Sequence, residues 1–220
     1  MTSVSAEVLS ELTALETPTL SDALDRLGIP GQCRGIMPLD RGFRMAGPAF
    51  TVKYADEYVE GGSVGDFVDD IAAGEVAVIS NHGRLDVTVW GDLMTILARR
   101  NRVAGTVIDG MCRDLRRALE LDYPLFARGH WMRTGKDRVQ FEAARVPVHI
   151  GGVLVHPGDV LVGDANGVVA VPADRVADVL EVARSIEESE ERIRAALAEG
   201  LSLREARGET GYHRLQTKVG

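Results

Sequence analysis

Trp90-Gly91-Asp92-Leu93-Met94 and Gly105-Thr106-Val107-Ile108-Asp109-Gly110-Met111-Cys112-Arg113-Asp114 are the two stretches around which the chain is organised. Between Asp92 and Arg113 lie twenty residues. Leu93, Met94, Ile96 and Leu97 recur at helical spacing, and Arg99, Arg100 and Arg102 supply a basic last turn, so a helix starts near Asp92. Val103 to Ile108 is an apolar, β-rich run and reads as a buried strand. A helix rises about 1.5 Å per residue and a strand returns at about 3.3 Å per residue. The two nearly cancel, which brings Asp92 back beside Arg113 and Asp114 at one edge.

Outward from that edge, Glu75-Val76-Ala77-Val78-Ile79-Ser80 is apolar without alternation, the signature of a strand buried on both faces beside a parallel neighbour. Leu115 to Leu121 is helical and Pro124 to Arg128 a further strand, giving a run of βα units. Upstream, residues 4 to 15 form a helix ending before Thr17-Pro18, and a second helix, Asp22 to Leu27, is capped by Thr19 or Ser21 and stopped by Gly28. Gly35 to Leu39 and Pro48 to Tyr54 read as strands, and residues 66 to 73 as a short helix. After residue 145 the pattern changes to short strands, 146–150, 153–155, 159–162 and 167–171, joined by tight-turn residues into an antiparallel meander. Val176 to Ala198 is a long helix with an apolar stripe that gives way to Glu187-Glu188-Ser189-Glu190-Glu191. The expected class is α/β, with mixed parallel and antiparallel sheets and a long C-terminal helix: one domain over residues 1–200, then a polar tail, 201–220.

With 220 residues, 45% apolar and 26% charged, the chain can bury a core without disulfides or metal staples. Cys33 and Cys112 are too few and too unpatterned for a disulfide framework or a zinc site. No apolar run is long enough for a membrane span and no secretory signal opens the chain, so the expected address is the cytoplasm, with no membrane partner. A net charge of −8 disfavours a nucleic-acid surface, yet leaves room for a small anionic substrate held by local positive charge.

Three charged groups at one edge are the strongest candidates for chemistry. Asp92 can serve as a helix cap, or Gly91 can let the backbone approach a ligand whose carboxylate meets the N–H groups of Leu93 and Met94. Arg113 and Asp114 follow a buried strand, where α/β sheets place their ligands, or act as a solvated cation and a cap. An Asp beside an Arg suits Mg²⁺ or Mn²⁺, which keep several waters and take one or two carboxylates. Asp109 could support the site from the strand end, but an Asp before Gly there reads better as turn chemistry. His82, His130, His149, His156 and His213 lack metal-ligand spacing. Cys112 beside Arg113 could carry a lowered pKa, but reads better as a packed residue. Gly61-Gly62-Ser63-Val64-Gly65 lacks both the dinucleotide fingerprint and the phosphate-loop lysine.

Asp92, twenty residues, then Arg113-Asp114 resembles the D-x20-R-D signature of the RraA-like family, which includes class II 4-hydroxy-4-methyl-2-oxoglutarate/4-carboxy-4-hydroxy-2-oxoadipate aldolases. Thr19-Leu20-Ser21-Asp22-Ala23-Leu24, Pro157-Gly158-Asp159 and Asn166-Gly167-Val168-Val169 extend the likeness over most of the chain. The resemblance implies a swivelling β/β/α sandwich assembled as a homotrimer or homohexamer. It implies that Asp114 holds Mg²⁺ or Mn²⁺, that Arg113 contacts the keto oxygen of pyruvate or oxaloacetate, and that Leu93 and Met94 bind the substrate carboxylate through their N–H groups. Asp92 would orient an acid/base water, and Glu187, Glu188 or Glu190 of a neighbouring subunit would complete the site. Retro-aldol cleavage of 4-hydroxy-2-oxo acids and oxaloacetate decarboxylation would both follow. Because some relatives are regulators of RNA-degradation enzymes, a non-catalytic role is the competing expectation. The family's methyltransferase label finds no Gly-rich loop for S-adenosylmethionine.

Overall fold

The computed structural model describes residues 4–55, 57–60 and 62–210. The helices α1 (Ala6–Ala14) and α2 (Thr17–Arg26) open the chain, followed by β1 (Met37–Pro38), β2 (Met45–Tyr54), a 3₁₀ turn (Phe67–Asp70) and β3 (Val76–Ser80). The central stretch folds as α3 (Asp92–Arg100), β4 (Gly105–Cys112), α4 (Leu115–Glu120) and β5 (Leu125–His130). Then come β6 (Phe141–Ala144), β7 (Val148–Ile150), β8 (Val153–Val155), β9 (Val160–Asp164), β10 (Gly167–Val171), α5 (Val176–Ala198) and α6 (Leu203–Thr210).

One mixed sheet runs in the order β1-β5-β4-β3-β2-β9-β10, with β6 pairing on β2, and β7-β8 forms a separate hairpin. β3 lies between β2 and β4 and is parallel to both, as its unalternated apolar run requires. Side chains alternate strictly between two faces. Ala49, Val76, Val78, Val107, Phe126, Leu161, Val168 and Ala170 point inward against the β7-β8 hairpin. Phe50, Val52, Ala77, Ile79, Ile108 and Leu125 point outward under α3 and α4, whereas Val160, Val162, Val169 and Val171 pack under α1, α2 and α5. The hairpin, the sheet and the helices are the three layers of a β/β/α sandwich. Residues 31–38 nearly close the sheet: Gln32 bridges Val169 of β10, and Met37-Pro38 pairs with Ala127 and Phe126 of β5.

Several boundaries differ from expectation. Thr17-Pro18 does not separate two helices but begins the second, because a proline in the first helical turn gives up an N–H that needs no partner there. Asp164 compensates for the missing cap: Oδ2 accepts from the Thr17 N–H at 2.8 Å and Oδ1 from its hydroxyl at 2.6 Å. The expected meander is two hairpins, because β9 leaves β8 and pairs with residues Met45–Pro48 of β2. β6 was not foreseen, being a short, half-exposed edge segment without alternation. Part of the polar tail is helical: α6 packs on α5 and buries Ala206, while residues 211–220 lie outside the described residues.

Burial opposes ionisation of Asp164, but the Thr17 hydroxyl and amide and the Asn166 amide outweigh it and hold the carboxyl below its ordinary value of 3.8. A depressed carboxyl pKa contributes stability that is present above the unfolded value and lost as pH falls through the folded one. Asp164→Ala is therefore expected to lower stability by about 3 kcal/mol at neutral pH, as charge-assisted bonds to buried donors are lost. Denaturant melts should show the gap between variant and wild type narrowing below pH 4.

Candidate active site

β4 carries its own end into the site, since Arg113 N–H donates to the Trp90 carbonyl at 3.0 Å. This bond ties the strand end to the turn that starts α3. That turn is itself fixed from the core. The Trp90 indole N–H donates to Thr95 Oγ1 at 2.9 Å, whose hydroxyl donates to the Gly91 carbonyl at 3.0 Å, and the indole stacks on Tyr123 with ring centroids 6.4 Å apart. Asp114 is left-handed (φ 60°, ψ 40°), a conformation Asp tolerates better than most residues, and it turns the chain sharply into α4.

The consequence is a close cluster. Asp114 Oδ2 accepts the Asp92 N–H at 3.2 Å and lies 3.3 Å from Arg113 Nε. A Cβ on Gly91 would sit 2.8 Å from Asp114 Oδ2 and 3.4 Å from Arg113 Nε, so only glycine leaves room for both groups. Gly91, at φ −148°, is extended backbone and needs no special conformation; here the requirement is space. The structure thus brings Gly91, Asp92, Leu93, Met94, Arg113 and Asp114 together. It differs from expectation in one detail, because Asp92 Oδ1 accepts the Leu93 N–H at 2.9 Å and leaves Met94 as the amide of that pair without a partner among the described residues.

Asp114 Oδ1 and Asp92 Oδ2 have no protein donor among the described residues. No group of three or more His, Cys, Asp or Glu is placed to hold a metal ion among those residues. Two hard carboxylate oxygens without a full cage fit an ion such as Mg²⁺ or Mn²⁺, which completes its shell with water and substrate, and fit zinc poorly.

Concavities open on both sides of this cluster. One, of about 210 Å³, runs from Gly91–Met94 and Arg113 to Thr134 and Lys136. Another, of about 420 Å³, joins Arg113 and Asp114 to His130, Trp131 and Met132. A larger hollow of about 640 Å³ lies elsewhere, between α2 and β10, and is lined by Arg34. Away from the site, the Arg44 guanidinium donates to the Thr13 and Leu15 carbonyls and caps α1. Lys136 was missed in the sequence because only the folded β5–β6 loop places it beside Arg113, whereas His130, set aside there for lacking metal-ligand spacing, reaches the same edge from the end of β5.

Glu187, Glu188 and Glu190 lie on α5, which packs on α2. Glu187 pairs with Arg194 at 2.9 Å and accepts from Thr19 Oγ1 at 3.1 Å; Glu190 also pairs with Arg194, at 2.9 Å. The Glu188 carboxylate has no partner among the described residues.

One reading is corrected. Asp109 is no turn residue: it is buried inside β4, where its carboxylate pairs with Arg128 and accepts the Gly151 N–H at 2.9 Å, locking the β7-β8 hairpin onto the sheet. Cys112 is the packed residue that its sequence context favoured, and has no lowered pKa. Burial pushes its thiol up to about 12, and Cys33, likewise buried, also stands at about 12. Iodoacetamide at neutral pH should therefore leave both thiols of the native protein unmodified, as intact-mass measurement would show. Gly61 of the glycine-rich loop and His213 lie outside the described residues. No helix among those residues is long and apolar enough to cross a membrane.

A family model described as RraA-like (Aldolase/RraA) matches residues 17–170. Protein DlpA of Legionella pneumophila is 38% identical over 93% of the chain, which spans only 34% of that protein's length. A protein of Halalkalibacterium halodurans named as a putative 4-hydroxy-4-methyl-2-oxoglutarate aldolase is 30% identical over 91% of the chain and 93% of its own length. Among solved structures, an uncharacterized protein from Pseudomonas syringae pv. tomato superposes with a TM-score of 0.87 at 43% identity, covering 94% of this chain and 100% of that one. RraAS2 of Streptomyces coelicolor, described as an unusual member of the RNase ES inhibitor RraA protein family, superposes at 0.81 with 29% identity, covering 88% of this chain and 98% of that one.

Proposed function

The chain belongs to the RraA-like family, and we propose that within it this protein is a divalent-metal-dependent carbon–carbon lyase that releases pyruvate from 4-hydroxy-2-oxo acids or oxaloacetate. The observation that carries the reading is the clustering of Asp92, Arg113 and Asp114 at the start of α3, with Asp92, Met94 and Arg113 lining the pocket beside them. The aldolase name of the H. halodurans relative supports it.

Both reactions break the C3–C4 bond and leave its electron pair on a carbon beside a ketone. The group that lowers the barrier must therefore favour negative charge on the C2 oxygen. In this proposal Asp114, with Asp92 nearby, holds Mg²⁺ or Mn²⁺. The ion, when bound, supplies Lewis-acid polarisation of the 2-oxo acid. Arg113 donates to the C2 oxygen as charge builds there, and the Met94 N–H, at the positive end of α3, receives the C1 carboxylate. Leu93 can join only if the Asp92 carboxylate turns away from its N–H, so substrate carboxylate and Asp92 compete for that donor.

Asp92 then stays close to the reacting carbons, where it orients a water. In the retro-aldol cleavage the C4 hydroxyl gives up its proton to that base and C4 becomes a carbonyl; in the decarboxylation C4 leaves as CO₂. In both, a proton returned to C3 yields pyruvate. Leu93 is 76% exposed, and Met132 and Trp131 are 73% and 43% exposed beside the same site. We take this apolar rim as the seat of a neighbouring subunit in a homotrimer or homohexamer, with Glu188 the one of the three candidate carboxylates without a partner among the described residues.

The test is a pyruvate-coupled assay of oxaloacetate and a panel of 4-hydroxy-2-oxo acids with Mg²⁺, with Mn²⁺ and with chelator. Turnover that is lost with chelator and regained on adding metal is the expected result. A second reading, a non-catalytic regulator of an RNA-degradation enzyme, is favoured by the likeness to RraAS2. It predicts no turnover of any panel member and altered RNA cleavage when this protein is added to such an enzyme.

A further inference from the structure

The scheme above returns a proton to C3 without naming the group that carries it. The concavity of about 420 Å³ is lined by Arg113, Asp114, Leu115, His130, Trp131 and Met132. Within that set the donor follows by elimination. Arginine does not give up its proton in a protein, and leucine, tryptophan and methionine have none to transfer at neutral pH. Asp114 is committed to the metal in the proposed scheme. The His130 imidazole is left, and imidazole is the side chain that both holds and releases a proton near neutrality.

His130 is placed by the sheet. It pairs with Cys112 in the β4–β5 register, and the next N–H, that of Trp131, donates to the Cys112 carbonyl at 2.9 Å. The histidine is thus pinned beside the strand end that runs directly into Arg113 and Asp114. Its ring makes no hydrogen bond or ion pair among the described residues, in contrast to His82, whose Nε2 lies 2.7 Å from the Tyr54 carbonyl oxygen, and His156, 3.6 Å from Asp159. His130 is also exposed, so the ring exchanges its proton with solvent between turnovers. Asp92 lines the pocket on the α3 side and takes no part in the His130 concavity. The two groups therefore stand on different sides of Arg113.

We propose that His130 is the acid that protonates C3. The inference rests on the lyase reading for its reaction. Once the C3–C4 bond has broken, the enolate oxygen re-forms the C2 carbonyl and the C2–C3 π pair makes a new bond from C3 to the proton. The N–H bond of the imidazolium breaks, its pair stays on the ring nitrogen, and water then returns a proton to the neutral ring. Delivered from one side, the proton adds to one face of the enolate. In reverse, neutral His130 takes a single, stereochemically defined C3 proton from a bound 2-oxo acid.

The experiment uses 2-oxobutyrate, whose two C3 protons are distinguishable, with the Mg²⁺-loaded full-length protein in D₂O, followed by NMR. The wild type should exchange only one of the two. His130→Ala should slow that exchange by about a hundredfold, with the affinity for 2-oxobutyrate by calorimetry unchanged. Free imidazole added to His130→Ala should restore exchange well above the rate of imidazole and metal without protein. A wild-type rate in His130→Ala would overturn the proposal and leave the lyase reading standing. Loss of exchange that imidazole does not restore would overturn it in favour of a structural role for His130, and a wild type that exchanges neither proton would overturn both readings.

Discussion

Asp114→Asn is expected to lower metal-dependent pyruvate release by about three orders of magnitude, equivalent to roughly 4 kcal/mol of transition-state stabilisation. Asparagine keeps the left-handed backbone at φ 60° and can still accept the Asp92 N–H, so the turn into α4 survives. What disappears is the negative charge that would hold the metal. Arg113→Ala should cost about 10²- to 10³-fold by removing the donor aimed at the enolate oxygen. Both side chains are over a third exposed and their ion pair spans 3.3 Å, so its loss alters stability by no more than about 1 kcal/mol. The informative pairing is kinetics with a thermal melt on the same preparations. Activity near wild type in either variant would remove the catalytic assignment, and a capping role alone would show up as a lowered melting temperature with turnover retained.

Gly91→Ala is the second large effect, and it arises without touching a charged group. The added methyl would meet Asp114 Oδ2 at 2.8 Å and crowd Arg113 Nε at 3.4 Å, while the extended backbone at φ −148° accepts alanine without strain. The methyl must push the carboxylate and the guanidinium aside. Displacements of this size at reacting groups cost on the order of 10²-fold in rate. The expected outcome is a fall of that size in kcat/KM with little change in the unfolding midpoint. By contrast, if Gly91 is only a helix start, alanine there should alter stability slightly and leave turnover intact.

The parts of this fold that could be read from the sequence are those set by local pattern. Val76–Ser80 declared a buried strand beside a parallel neighbour because the unbroken apolar run from Val76 to Ile79 leaves no polar face to expose. The long helix Val176–Ala198 was legible because its stripe runs unbroken from Val176 to Ile186 and Gly200 stops it. The Asp92-to-Arg113 edge was legible from simple lengths, a helix and a strand whose rises cancel. What could not be read depends on residues far apart in the chain. Asp109 looks like a turn residue until Arg128 and the Gly151 amide, 42 positions away, arrive to bury it. Thr17-Pro18 looks like a helix break until Asp164, 147 positions away, caps it. Lys136 joins the site only because Thr88 and Gly135 pin its loop, and no periodicity in residues 131–140 announces that contact. At the site itself, sequence spacing named the residues that come together, but not that Asp92 would occupy the Leu93 amide intended for a ligand.

The central claim is that the Arg113–Asp114 edge stabilises negative charge on a pyruvate enolate, whatever the other half of the substrate is. Exchange of the pyruvate methyl protons for deuterium, followed by NMR in D₂O, reads that step alone. With Mg²⁺ or Mn²⁺ the wild-type protein should exchange these protons well above the rate of metal in buffer, and chelator, Arg113→Ala or Asp114→Asn should each return exchange to that background. Exchange no faster than background in the metal-loaded wild type, or exchange that persists in Asp114→Asn, would contradict the account.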